Sequence, residues 1–262
     1  MKKRMALKIG GRAFESDEAF KGVAKTVLEN PDALELVIVH GGGAQISAAL
    51  QAAGRPTEFI DGIRKTQKED MDIIERVLSV DVNGHIISKL TEYGVVCQPL
   101  SGKNGHLLIA EQWFPQGKDV GCVGKIITVQ PTVIEVVLLE NKVPVVSPVS
   151  ADRDGHTYNI NADDAAVAIA IGTRCTDLVY FTDVPGVKDD TGAVVAQLTV
   201  NEANEWIEKG VIAGGMVAKV HSIADALQKG VERVHVTTWQ TDTTLSDILW
   251  DKKGLVKTTI TL

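Results

Sequence analysis

Positive charge is in short supply: across 262 residues, 27 Lys and Arg face 34 Asp and Glu, leaving a formal net charge of -7. A chain of that sign gives no footing to a phosphate backbone, which excludes nucleic acid as the partner. Cysteine is scarce as well. Cys97, Cys122 and Cys175 lie far apart and form no C-x-x-C pair, which argues against a disulfide frame or a cysteine zinc site and for reduced thiols in the cytoplasm. The six histidines show no H-E-x-x-H spacing. No apolar run approaches the roughly 18 residues of a membrane span. In "MKKRMALKIGG", Lys8 interrupts the apolar stretch too early for a secretory signal. There is no low-complexity linker and no internal repeat. What is present, at 44% hydrophobic and 23% charged, is a globular composition able to bury one large α/β core or two modest ones.

Strand-like and helix-like segments alternate, which predicts an α/β fold with a mainly parallel sheet. "MALKI" (5–9) reads as a strand, and Ser16 as the cap of a helix with Asp17 and Glu18 in its first turn. "LELVIV" (34–39) has the continuous apolar character of a strand buried on both faces. A helix over 44–53 shows Ile46, Ala49, Leu50 and Ala53 on one side and ends at Gly54. Thr66 and Glu69 spell a T-x-x-E capping box, predicting a helical region to about residue 92 with a break near Gly84. Residues 95–129 read as a hairpin-rich patch. Beyond them the pattern predicts helices over 131–141, 161–172, 199–209, opened by a second capping box at Thr199 and Glu202, and from Gly215 to about 229. Strands are predicted at "VPVVSPV", "DLVYF", "RVHVTT" and "VKTTITL".

Three glycine clusters read as transitions from a strand through glycine into a helix: "KIGGRAF", "VHGGGAQ" and "IAGGMVAKV". Each reads either as a tight turn needing glycine or as a helix N-terminus whose unpartnered N–H groups cradle an anion. None is a P-loop, and no G-x-G-x-x-G follows a strand. HGGG is also an oxyanion-hole signature of some esterases, but the required G-x-S-x-G is absent, and Ser101 sits in "PLSGK". Lys8, at the end of the first strand, is either a solvent-facing edge lysine or a cation at the rim where open α/β sheets bind ligands. Lys219, Asp163, Asp164 and Arg64 each have an equally plain alternative as surface or helix-end charges.

Taken in order, "KIGG", "VIVHGGG", "DGIR", "LSGKNG", "NINADDAA", "FTDVPGV" and "GGMVAK" resemble the amino-acid kinase family over nearly the whole chain. The resemblance is greatest to the branch that phosphorylates N-acetyl-L-glutamate in arginine biosynthesis. It implies an open three-layer αβα sandwich, with an N-terminal half (1–173) for the acidic substrate and a C-terminal half (174–262) for ATP. It also implies phosphorylation of a carboxylate by ATP, with Mg2+ held mainly by the nucleotide phosphates.

Carried onto this sequence, Lys8 and Lys219 contact the phosphoryl group and Asp163 orients both. Gly10, Gly11, Gly42 and Gly43 donate main-chain hydrogen bonds, while Arg64 and Asn159 hold the substrate's α-carboxylate. Thr182, Asp183, Val184 and Gly186 line the nucleotide pocket with Gly214, Gly215 and Met216. The acceptor carboxylate is already ionised at neutral pH, so the reaction needs no general base. The short segment before Lys8 implies the dimeric, arginine-insensitive type, a cytoplasmic homodimer.

Lys65 after Arg64, and "LSVDVNGHI" without a glycine and lysine beside its asparagine, depart from the family pattern near the expected acyl pocket. A sister kinase acting on N-succinylglutamate or carrier-linked aminoadipate therefore stays open. So does a non-catalytic regulator of the same fold that binds nucleotide or amino acid.

Overall fold

The computed structural model describes residues 2–10 and 16–262. In chain order the strands of the first half are β1 (Lys3–Ile9), β2 (Leu34–His40), β3 (Glu58–Ile60), β4 (Ile63–Lys65), β5 (Cys97–Ser101), β6 (Leu108–Gln112) and β7 (Val123–Val129). They are followed by β8 (Val143–Ser147), β9 (Val149–Ala151), β10 (Thr157–Ile160), β11 (Asp177–Phe181), β12 (Gln197–Thr199), β13 (Arg233–Thr237) and β14 (Thr258–Thr261). The helices are α1 (Asp17–Glu29), α2 (Gly43–Ala52), α3 (Met71–Arg76), α4 (Asn83–Glu92) and α5 (Thr132–Leu139). After these come α6 (Ala162–Gly172), α7 (Val200–Glu208), α8 (Gly215–Gln228) and α9 (Thr244–Leu249).

Eight strands form one sheet in the order β12-β14-β13-β11-β1-β2-β8-β5, parallel throughout except for the β13–β14 pair. Both faces are covered, so the strands read as continuous apolar runs rather than alternating ones. Ala6, Val37, Val39, Leu178, Tyr180 and Val236 face a core built with α5, α6, α7 and α8. Met5, Leu7, Ile9, Leu36, Ile38, Val179 and Phe181 face the opposite core under α1, α4 and α9. This is the predicted αβα sandwich. Four short strands, β10-β7-β6-β9, close into a small barrel beside it, and β3–β4 form a separate hairpin.

Two local signals behave as predicted. Ser16 caps α1 by accepting from the Ala19 amide, and Thr199 and Glu202 complete a capping box at α7. Others are overturned. Thr66 caps nothing: its N–H donates to the Val120 carbonyl and its own carbonyl accepts from the Cys122 amide, so it belongs to a β-bridge region. There is no break at Gly84; the irregularity is a π turn at Val77–Val82, directly before α4. Within the patch 95–129, β5 is no hairpin strand but the edge of the main sheet. "IAGG" follows a turn rather than a strand, and β12 and α9 are elements the pattern did not predict. Among the described residues, no helix is long and apolar enough to cross a membrane.

Candidate active site

At the carboxyl ends of the central strands, Lys8 of β1 stands in register with Tyr180 of β11. Paired residues of neighbouring strands project from the same face, so both side chains meet the layer of α6 and α8. Asn161 caps α6 by accepting from the amides of Asp163 and Asp164, which sets the Asp163 carboxylate in the first turn. There it lies 2.7 Å from the Lys8 ammonium and 2.5 Å from that of Lys219, one turn into α8. All three are largely enclosed, with side-chain exposures of 12% for Lys8, 23% for Asp163 and 13% for Lys219.

Burial pushes the Asp163 carboxyl up, but the two ammonium groups pull harder and hold it below its ordinary value. Burial also holds Lys219 below the ordinary lysine value, against the upward pull of Asp163. Next door, burial and the Asp163 charge together raise Asp164. The trio carries one surplus positive charge in a poorly hydrated place, and an anion would complete it.

Glycine shapes the surroundings. A β-carbon on Gly10 would sit 2.4 Å from the Lys8 ammonium, so the lysine folds back through space that only glycine leaves. Gly42 caps α2 with no side-chain hydrogen bond, and Gly214 does the same for α8, whereas α6 is self-capped. The first amides of α2 and α8 are thus left for an anion. Lys8, Gly10, Gly42, Gly43, Arg64, Asn159 and Asp163 line a single cleft of about 300 Å³. Arg64 is anchored there by donating to the Gly43 carbonyl (2.7 Å), Ser47 Oγ (2.9 Å) and Thr57 Oγ1 (3.1 Å), with the Phe59 ring 4.8 Å away. Asn159 donates to Thr66 Oγ1 at 3.2 Å.

Thr182, Asp183, Val184 and Gly186 follow the end of β11, and Gly214, Gly215 and Met216 open α8, on the same rim of the sheet but outside that cleft's lining. Gly186 has a packing reason of its own, since a β-carbon would meet Thr258 Oγ1 at 2.6 Å. Gly11 lies outside the described residues. Lys65 pairs with Glu58 across the hairpin at 2.9 Å and does not line the cleft.

Sequence reasoning missed two groups. His40 is buried at the end of β2, where Nδ1 lies 2.8 Å from the Gly41 carbonyl and Nε2 3.1 Å from Asn83 Nδ2. Asn83 also donates to the Val145 carbonyl. One tautomer fits both contacts, with Nδ1–H donating to Gly41 and Nε2 accepting from Asn83. The pair thereby fixes the peptide that leads into the glycine helix start. Burial lowers His40 to about 4, so it stays neutral at working pH. Its place directly before three glycines was the available signal. The other group is Tyr180, fully buried beneath Lys219 and readable in "DLVYF" only as one more core residue.

Residues 3–238 match the amino acid kinase family model. The chain belongs to the amino acid kinase family. Among relatives in this family, the acetylglutamate kinase of Methanococcus aeolicus is 38% identical over 89% of this chain and 83% of its own length. The acetylglutamate kinase of Aquifex aeolicus is also 38% identical, over 99% of this chain and 92% of its own. Of solved structures, smu.665 from Streptococcus mutans superposes with a TM-score of 0.83 at 30% identity, covering 100% of this chain and 99% of that one. The amino acid kinase fold thus extends over all the elements that meet at the Lys8–Asp163–Lys219 cluster.

Proposed function

We propose that the chain transfers the γ-phosphoryl group of MgATP to the side-chain carboxylate of N-acetyl-L-glutamate, giving an acyl phosphate and ADP. The observation that carries this reading is Asp163 held between Lys8 and Lys219, with Lys8 and Asp163 in the lining of the glycine-lined cleft. Donor and acceptor are both anions, and their repulsion is the first obstacle to in-line transfer. Two ammonium groups and the first amides of α2 and α8 answer it with fixed positive potential, placed before the reaction begins. A carboxylate oxygen attacks the γ-phosphorus, the bond to the β-phosphate oxygen breaks, and no proton moves.

Arg64 offers its planar guanidinium to the α-carboxylate beside Asn159. Phe59, Ile63, Leu78 and Trp113 give the same cleft an apolar side suited to the acyl group. Both Asp163 oxygens face lysines, which leaves them unsuited to binding a metal, and magnesium enters with the nucleotide phosphates. On this reading residues 1–173 hold the acid and 174–262 the nucleotide, with Thr182, Asp183, Val184, Gly186, Gly214, Gly215 and Met216 on the nucleotide side. A cytoplasmic homodimer belongs to the same proposal.

The test is ADP release with N-acetylglutamate, N-succinylglutamate, glutamate and aminoadipate, trapping the acyl phosphate with hydroxylamine. Turnover is expected with the acetyl compound. Turnover with the succinyl compound alone would replace the substrate, and none with any acid would refute the kinase reading.

A further inference from the structure

Lys219 has its ammonium 4.4 Å from the centre of the Tyr180 ring, over the ring face. Tyr180 is 0% exposed, and its hydroxyl has no hydrogen-bond partner among the described residues. A buried hydroxyl without a partner costs stability, and phenylalanine would fill the same space without one. The aromatic face is what the position uses. Among the described residues, three elements present charged or aromatic groups to the Lys219 ammonium: Asp163 from α6, Lys8 from β1 and Tyr180 from β11. Asp163 is shared with Lys8, and Lys8 repels Lys219, so the ring supplies an attraction that is not divided.

We propose that Tyr180 is a positioning residue whose ring face holds the Lys219 ammonium, charged and aimed, against the incoming phosphoryl group. This rests on the phosphoryl-transfer role given to Lys219 above. A second carboxylate at position 180 would also hold the lysine, but it would cancel the trio's surplus charge and repel the phosphate. A neutral ring attracts the cation through its quadrupole and adds no net charge. Burial and the nearby charges of Asp163 and Asp164 hold the Tyr180 phenol well above its ordinary value, so the ring stays neutral while the lysine titrates. With burial already pulling Lys219 down, losing the ring favours its uncharged form further.

The experiment compares the pH dependence of kcat for the wild type, Tyr180→Phe, Tyr180→Leu and Lys219→Ala, with saturating MgATP and N-acetyl-L-glutamate. Tyr180→Phe should keep kcat and the alkaline limb, and melt no lower than the wild type. Tyr180→Leu should move the alkaline limb down by about 0.5–1.5 pH units, with KM for the acid unchanged. An unmoved limb in folded Tyr180→Leu, with Lys219→Ala inactive, overturns this proposal alone. Full activity in Lys219→Ala overturns the assigned role of Lys219 and this proposal with it. Damage in Tyr180→Phe equal to that in Tyr180→Leu assigns the role to the hydroxyl and refutes the ring. A readout independent of turnover is the Lys219 Cε proton signal in 13C-lysine-labelled protein. It should be shifted upfield by the ring in the wild type and in Tyr180→Phe; an unshifted signal refutes the geometry even if Tyr180→Leu fails to fold.

Discussion

Replacing Asp163 with Asn keeps the shape of the side chain and deletes the carboxylate lying 2.7 Å from one ammonium and 2.5 Å from another. At an effective dielectric constant of about 20, each contact has a gross attraction of about 6 kcal/mol, most of it offset by desolvation. Removing one partner of an enclosed ion pair costs about 3–5 kcal/mol, because the remaining charge is stranded. Asp163 retains 23% exposure, so water recovers part of this, and the expected loss is about 3 kcal/mol.

That loss should have an unusual signature. The stranded lysines are those assigned to the phosphates, and a bound nucleotide relieves their repulsion. Urea unfolding should therefore show the Asn variant destabilised when empty and largely rescued by a non-hydrolysable MgATP analogue. The analogue should bind the variant more tightly than the wild type, since the lysines no longer have to leave a carboxylate. Turnover should move the other way, with kcat falling about 10²- to 10³-fold once the ammonium groups lose their common anchor. An Asn variant with wild-type stability, unchanged analogue affinity or undiminished kcat would refute the bridging role.

Lys8→Ala and Lys219→Ala should each lower kcat by about 10²- to 10³-fold in an ADP-release assay, while thermal melts stay close to the wild type because Asp163 keeps one partner. Gly10→Ala should act as a displaced-lysine variant: its methyl would sit 2.4 Å from the Lys8 ammonium, so kcat falls while stability changes by less than about 1 kcal/mol. His40 supplies a pH prediction. Burial depresses it from 6.5 to about 4, so the unfolded chain takes up the proton first; its stabilisation is present above 6.5 and lost as pH falls through about 4. Between pH 7 and pH 4.5 this amounts to about 2 kcal/mol, and urea unfolding of His40→Asn should lack that part of the acid sensitivity. Equal acid sensitivity in the two proteins would place a charged or solvated imidazole there instead.

The cleft was legible where chemistry demands a residue type at a fixed place in the chain: a lysine ending a buried strand, glycines opening a helix, an aspartate in a first helical turn. What escaped was set by contacts between distant segments. The T-x-x-E spacing at Thr66 is a sound local cap signal, but residues 120–122 claim the Thr66 backbone, and tertiary pairing overrides it. β5 looked irregular because Pro99 lies inside it; at the sheet edge, paired only with β8, a missing N–H does no harm. The π turn at Val77–Val82 has no composition of its own, and it directly precedes Asn83, whose side chain reaches His40 and Val145.

Sheet register decides the chemistry as firmly as it decides the core. Ala6 and Lys8 share one face of β1, while Met5, Leu7 and Ile9 share the other, the latter against Phe20, Val23 and Ala24 of α1. Sliding β1 by one residue would aim Lys8 into that second core, away from Asp163, and would turn Met5, Leu7 and Ile9 toward α6. Both faces are already packed, so the slip exposes none of the three; it forces them into space shaped around Ala6 and buries an unpaired ammonium, and overpacking at about 1–3 kcal/mol per side chain costs more than any ion pair at the rim returns. The apolar residues of β1 hold the lysine in place, and Lys8 adds no stability that could compete with them. Substitutions at Lys8 can therefore silence the site while leaving the sheet intact, whereas substitutions at Leu7, one residue away, should unfold the protein before they alter its chemistry.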